Sequence, residues 1–145
     1  MTHDEVIDLL RSLVRLDYDA VQSYDQAIEQ TDEPDVRRSF ERFRGDHGRH
    51  VDELETMIRQ MGGQPLELSG DVKGPFQQAF TALRRETGTH GALSACESGE
   101  QYTNRKYSEA ASKSLPVDVK VLVDRNFRDE QRHLQYIEAS LGAHA

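Results

Sequence analysis

The stretch Asp129-Glu130-Gln131-Arg132-His133 decides how this chain folds. Glu130 and His133 are three residues apart, and on a helix such residues share a face, so one carboxylate and one imidazole can reach a common ion. Chance Glu-x-x-His pairs are frequent in a chain with 30% charged residues. The weight of this one comes from a second copy of its surroundings. A shift of 83 positions, with no gap, places Glu130 on His47, His133 on His50 and Leu134 on Val51. The same shift pairs Glu100 with Asp17, Tyr107 with Tyr24, Ala110 with Ala27, and Asp118-Val119 with Asp35-Val36. The chain therefore reads as two related halves, each with one acidic residue and, 30 positions later, a pair of candidate ligands.

Outward from that stretch the pattern is helical throughout. Thr2-x-x-Glu5 is a capping-box pattern opening a helix over about 3–30. Its stripe is Val6, Leu10, Leu13, Asp17, Ala20, Tyr24 and Ala27, widened by Val14, Val21 and Ile28. Pro34 suits the first turn of a second helix, about 34–61, with stripe Val36, Phe40, Phe43, His47, His50, Leu54, Met57 and Met61. Gly62-Gly63 ends it. A crossover over 62–89 follows, with a short helix at about 76–86 and with Gly88 and Gly91 as interruptions before the third long helix, 90–113. The third stripe is Leu93, Cys96, Glu100, Thr103, Tyr107 and Ala110 or Ala111. The fourth helix, 116–141, presents Val119, Val123, Asn126, Glu130, His133, Ile137 and Leu141.

The short loops make each half an antiparallel helical hairpin, and the long middle connection spans the length of the bundle. Every long helix breaks its apolar stripe with polar residues near the midpoint. Antiparallel packing then brings Asp17, His47, His50, Glu100, Glu130 and His133 to one level of the core. Burying a carboxylate costs several kcal/mol unless it is paired, coordinated or protonated. A hydrogen-bonded polar layer is one solution. One or two divalent cations are the other, and mixed nitrogen and oxygen donors suit iron, manganese or zinc and leave copper open.

Composition narrows the partners. With 145 residues, 36% hydrophobic, no Trp and four Pro, one helical domain over 1–145 is expected. A net charge of −8 without a basic cluster argues against nucleic acid and anionic membranes. The single Cys96 excludes an internal disulfide and suits a reducing compartment. Met1-Thr-His-Asp-Glu5 has neither region of a signal peptide and no long apolar run follows, so a cytoplasmic location is expected.

The pattern resembles the ferritin-like superfamily, and small uncharacterised bacterial members of this size look most similar. The resemblance covers nearly the whole chain. It implies an all-α, antiparallel four-helix bundle with one long crossover between helices two and three and a di-metal carboxylate site. The family pattern is one Glu on each of two helices and Glu-x-x-His on each of the other two. Glu100 matches the single-Glu role and Glu130-x-x-His133 the paired motif. Asp17 and His47-x-x-His50 stand at the corresponding places of the first half, so four carboxylates and two histidines become three and three. Tyr24 and Tyr107, seven residues after each single acid, also resemble the family. The resemblance implies transition-metal ions, iron foremost with zinc, manganese or copper as alternatives, and ferroxidase-type oxidoreductase activity. A non-catalytic metal-binding or stress-response bundle and a metal-free interaction module are the alternatives. Gly48 stands where haem-binding relatives carry Met, so no haem is expected. The sequence ends soon after the fourth helix, without the fifth of cage-forming ferritins, and the envisaged assembly is a homodimer.

Tyr24, Glu97, Tyr107 and Asn126 are candidates for supporting the ligands through hydrogen bonds. Cys96 reads as an inert core residue, and Asp46 and Glu53 as solvent-facing. His3, His90 and His144 read as incidental.

Overall fold

Helix ends come first, because they fix the lengths of everything that packs. The computed structural model describes residues 1–68, 74–83 and 86–143. Among these the regular elements are five α-helices and no strand: α1 (His3–Gln30), α2 (Pro34–Gln60), α3 (Pro75–Ala82), α4 (Gly88–Ala111) and α5 (Val117–Ala143). Thr2 and Glu5 form the reciprocal capping box, each side chain accepting from the other's backbone N–H at 3.1 and 2.8 Å. Helix α2 stops at Gly62, whose φ of 83° is open to glycine. Gly62 N–H donates to Arg59 and Gly63 N–H to Ile58, both at 2.9 Å, which satisfies two carbonyls of the last turn.

Helix α4 begins at Gly88, ahead of the position 90 expected, and Gly91 lies inside it. Gly88 takes the left-handed φ of 71°. At Gly91 a Cβ would come within 2.5 Å of the Glu86 carbonyl oxygen. Gly88 supplies the left-handed turn at the start of the helix and Gly91 allows the close approach of Glu86; neither ends a helix. The last turn of α4 closes at Ala111 instead of 113, and α5 runs to Ala143, with the Pro116 carbonyl accepting from Lys120 N–H at 2.9 Å. Helix α3 starts one residue earlier than expected and is shorter, since Leu83 ends it by bonding back to Ala79. Residues 84–85, within the span expected of this helix, lie outside the described residues, as do His144 and residues 69–73 of the crossover.

Cross-helix bonds set the packing. Gln30 donates to Gly88 O while Tyr107 donates to Asp17, so α1 and α4 run antiparallel. Asp46 faces His133 and Glu53 faces Arg125, so α2 and α5 do too. His3 lies 2.7 Å from Met61 O, and Lys120 donates to Ala111 O, fixing the two hairpins. The apolar stripes meet as two clusters. One is built around Tyr24, Phe40, Phe43, Leu93 and Ile137, the other around Leu10, Leu13, Leu54, Val119 and Val123. Each such side chain contributes roughly 1.5–3 kcal/mol by leaving water. Ile58 takes the interior place expected of Met57 and Met61, which are only partly buried. Helix α3 lies against α1 and α4, pinned by the Asp19 carboxylate, which accepts from Phe76 N–H (2.9 Å) and Gln77 N–H (3.3 Å). Phe76 fits where Gly99 leaves room; a side chain there would overlap its ring.

Candidate metal centre

Between the two apolar clusters lies a polar layer. Asp17, His47, His50, Glu100, Glu130 and His133 are all fully buried there. Their ligand atoms form two groups that share two members: Asp17, His47, His50 and Glu130 in one, and His47, Glu100, Glu130 and His133 in the other. In the first, Asp17 Oδ1 lies 2.7 Å from His47 Nδ1 and 3.0 Å from His50 Nδ1. Glu130 Oε1 lies 3.4 and 3.3 Å from the same nitrogens. In the second, Glu100 Oε1 lies 2.8 Å from His47 Nε2 and 3.4 Å from His133 Nδ1, and Glu130 Oε2 lies 3.6 Å from His133 Nδ1. The 83-position shift maps one group onto the other.

The support around the layer is reciprocal. Tyr24 OH donates to Glu100 Oε1 (3.0 Å), and Tyr107 OH donates to Asp17 Oδ2 (2.6 Å), each tyrosine holding the acid of the other half. Asn126 Nδ2 reaches Tyr107 OH at 3.4 Å. Thr103 Oγ1 lies 3.4 Å from Glu100 and 3.5 Å from Glu130. Asn104 ties the helices together by donating to the carbonyls of Glu100 and Glu130. Glu97 is half-buried and stands outside both groups. Cys96 is buried in the aromatic cluster, where burial first and then the Glu100 charge push its thiol up.

Asp46 corrects the sequence reading. It does not face solvent freely; its side chain is only 17% exposed and its Oδ2 lies 2.8 Å from His133 Nε2. Its partner under the same shift, Asp129, lies 2.8 Å from His50 Nε2. Arg49 and Arg132, also 83 apart, each bond both aspartates. Each outer aspartate thus engages the Nε2 of one histidine and turns its Nδ1 inward, His133 Nδ1 without a hydrogen-bond partner and His50 Nδ1 toward Asp17 at 3.0 Å. That is how a carboxylate fixes the tautomer of a ligating histidine. The repeated Asp-x-x-Arg-His, at 46–50 and 129–133, was the sequence signal for these four residues.

Charge is distributed unevenly. Burial raises the Asp17 carboxyl, but the His50 charge and bonds from both histidines outweigh it and hold it well below the usual carboxylate range. Glu100 is held low in the same way, against burial, by His133 and His47. Burial lowers the His47 imidazole, yet Glu100 and Asp17 on either side push it up to about 10. Glu130 moves the other way: burial, then the charges of Glu100 and Asp17, push its carboxyl well above the usual range. In the metal-free layer two carboxylates favour the imidazolium form of His47, while burial and the neighbouring acids favour the neutral form of Glu130.

Two atoms of the layer, Glu130 Oε1 and His133 Nδ1, are buried without a hydrogen-bond partner. Such orphans are costly, and both lie within the converging groups. The mixed carboxylate and imidazole donor set could hold a metal ion. Among the described residues no helix is long and apolar enough to cross a membrane.

The chain belongs to the family described as a domain of unknown function (DUF2383), whose profile matches residues 5–113. That span reaches from α1 through α4 and leaves Glu130 and His133 beyond it. No curated protein matches the chain.

Proposed function

We propose that this member of the DUF2383 family is a metal-binding protein of ferritin-like topology, with a di-metal site formed by Asp17, His47, His50, Glu100, Glu130 and His133. The observation that carries the reading is the pair of orphaned atoms, Glu130 Oε1 and His133 Nδ1, inside a fully buried set of donors. A layer that only satisfied itself would not leave two such donor atoms buried without partners. His50 and His133 offer Nδ1, held in register by Asp129 and Asp46 through Nε2. Glu130 offers one oxygen to each group. Tyr24 and Tyr107 orient Glu100 and Asp17. Phe43, stacked 4.2 Å from His133, and Phe76, edge-on to His47 at 6.2 Å, pack apolar rings against the layer. Iron bound there would supply one-electron redox chemistry toward oxygen or peroxide, and ferroxidase-type oxidation is the activity we assign to the site.

One observation favours a metal-free reading. His47 as an imidazolium neutralises one carboxylate charge without any ion, so the layer is partly self-sufficient. Elemental analysis of protein purified without added metal, with thermal melting in chelator and in added iron(II), zinc(II) and manganese(II), tests the metal. An ion that binds only the folded site must raise the melting midpoint. Stoichiometric metal and a chelator-sensitive midpoint are expected; absence of both refutes the metal site. Oxygen consumption on adding iron(II) then separates the oxidase from the non-catalytic binder.

A further inference from the structure

His47 stands where the 83-position shift puts Glu130 in the second half, and it differs from a carboxylate in where its donors point. A carboxylate directs two oxygens from one carbon; an imidazole directs two nitrogens from opposite edges of a ring. Here Nδ1 faces Asp17 Oδ1 (2.7 Å) and Glu130 Oε1 (3.4 Å), in the first group. Nε2 faces Glu100 Oε1 (2.8 Å), in the second. The ring is held in that orientation, fully buried, by Tyr24 stacked at 5.5 Å, His133 at 5.0 Å and Phe76 edge-on at 6.2 Å.

Building on the metal-binding reading, we propose that His47 is a bridging ligand, its Nδ1 binding one ion with Asp17 and His50 and its Nε2 binding a second with Glu100 and His133. Glu130 spans the same pair, Oε1 toward the first and Oε2 toward the second. The bond changes balance without a redox step. Each ring nitrogen that binds an ion carries no proton, so two divalent ions at the places now facing Asp17 and Glu100 leave the ring an imidazolate, its protons released to solvent. Glu130 binds as a carboxylate. The anionic ring then supplies the fourth negative charge that a Glu at position 47 would carry, so two divalent ions meet four anionic and two neutral donors. In a low-dielectric core that neutrality matters more than the identity of any one ligand.

The test uses the full chain loaded with zinc(II) for anomalous diffraction and with copper(II) for electron paramagnetic resonance. Two anomalous peaks are expected, one at each nitrogen of His47. The copper signal is expected to grow with the first equivalent and to fall with the second, as the bridge couples the two spins. His47→Gln, if folded, leaves Glu130 as the one remaining bridge and is expected to weaken the coupling, so that more of the signal survives the second equivalent. Two ions with the ring bound to one alone, or a single ion with the other nitrogen still on a carboxylate, overturn the bridge and leave the metal site standing. No bound ion overturns both. The diffraction result on the parent chain decides the matter even where the variant does not fold.

Discussion

The two halves of the molecule, α1–α2 and α4–α5, carry the same scaffold and unequal chemistry. In the first half the donors are spent on one another: Asp17 accepts from both His47 and His50 at 2.7 and 3.0 Å. In the second half they are not, because both orphaned donor atoms, Glu130 Oε1 and His133 Nδ1, belong to α5. The difference follows from two residue types. An imidazole at position 47 can hold protons and give them to carboxylates; at 130, burial and then the charges of Glu100 and Asp17 push a carboxyl toward its neutral form. The first half thus stabilises the metal-free fold, and the second half keeps the unsatisfied atoms an ion would satisfy.

The sharpest way to break this comparison is to change an acid to its amide in each half. Asp17→Asn removes the charge that faces two histidines, and uncoupling a buried pair costs about 3–5 kcal/mol. Metal-free Asp17→Asn is therefore expected to melt far below the parent. Glu130→Gln replaces a carboxyl whose burial and acidic neighbours favour its neutral form, so the metal-free midpoint is expected to stay close to the parent's while metal occupancy collapses. Loss of affinity should exceed the roughly 10–100-fold that outer supporting residues cost. Calorimetric melting and metal titration of both variants suffice. A metal-free Glu130→Gln chain that melts as low as Asp17→Asn contradicts the division of labour.

Next in size is the dependence on pH, which should have opposite signs with and without metal. His47 is pushed from 6.5 to about 10, so its stabilisation is complete below pH 6.5 and is lost as pH rises through about 10. Asp17 and Glu100 are held low, so their contribution is complete above their ordinary values of 3.8 and 4.5 and is lost on acidification below them. The metal-free chain is expected to lose about 2 kcal/mol between pH 6.5 and 8.5. Metal needs deprotonated imidazoles, so the stabilisation it adds should grow over the same interval. Denaturant unfolding at fixed pH values, in chelator and in saturating zinc(II), reads both slopes; parallel slopes would show that metal does not compete with the His47 protons.

The outer aspartates offer a smaller, crossed comparison, since Asp46 serves His133 and Asp129 serves His50. Asp46→Asn should weaken metal binding by roughly 10-fold or more through the α5 ligand, and Asp129→Asn by less, because His50 keeps Asp17 as a second anchor. Isothermal titration of the two variants against the parent gives the order, and the reverse order would place the stronger ion in the first half.

These outer residues also mark the boundary of what the sequence discloses. The stripes and their polar midpoints were readable, because a period of 3.6 assigns each position a face and the 83-position shift aligns the faces. Asp46 was misplaced because an angular position measures one helix alone, whereas its histidine partner lies 87 residues away on a different helix. Asp129, Arg49 and Arg132 share that origin, and the shift that pairs Glu130 with His47 pairs them as well. Gly91 and Gly99 were unreadable for a related reason: what excludes a side chain there is the Glu86 carbonyl and the Phe76 ring, both brought in by tertiary contact.

The smallest test separates the two tyrosines. Tyr24→Phe and Tyr107→Phe each remove one hydroxyl bonded to a buried carboxylate, a bond worth roughly 1.5–3 kcal/mol when the acceptor is charged. Their acceptors are not equally supplied. Glu100 Oε1 keeps His47 at 2.8 Å after Tyr24 loses its hydroxyl. Asp17 Oδ2 has Tyr107 as its hydrogen-bond donor, the two histidines bonding Oδ1 instead, and Asn126 Nδ2 also reaches the Tyr107 oxygen. Tyr107→Phe therefore strands two polar atoms where Tyr24→Phe strands none. In the metal-free chain it should be the more destabilising by about 1 kcal/mol, read as a lower denaturant midpoint at unchanged slope. Saturating metal should narrow that gap if an ion takes Asp17 as a ligand, because the carboxylate then no longer depends on the hydroxyl. A gap that metal leaves unchanged would mean that Asp17, the shortest acid of the layer, does not reach the ion.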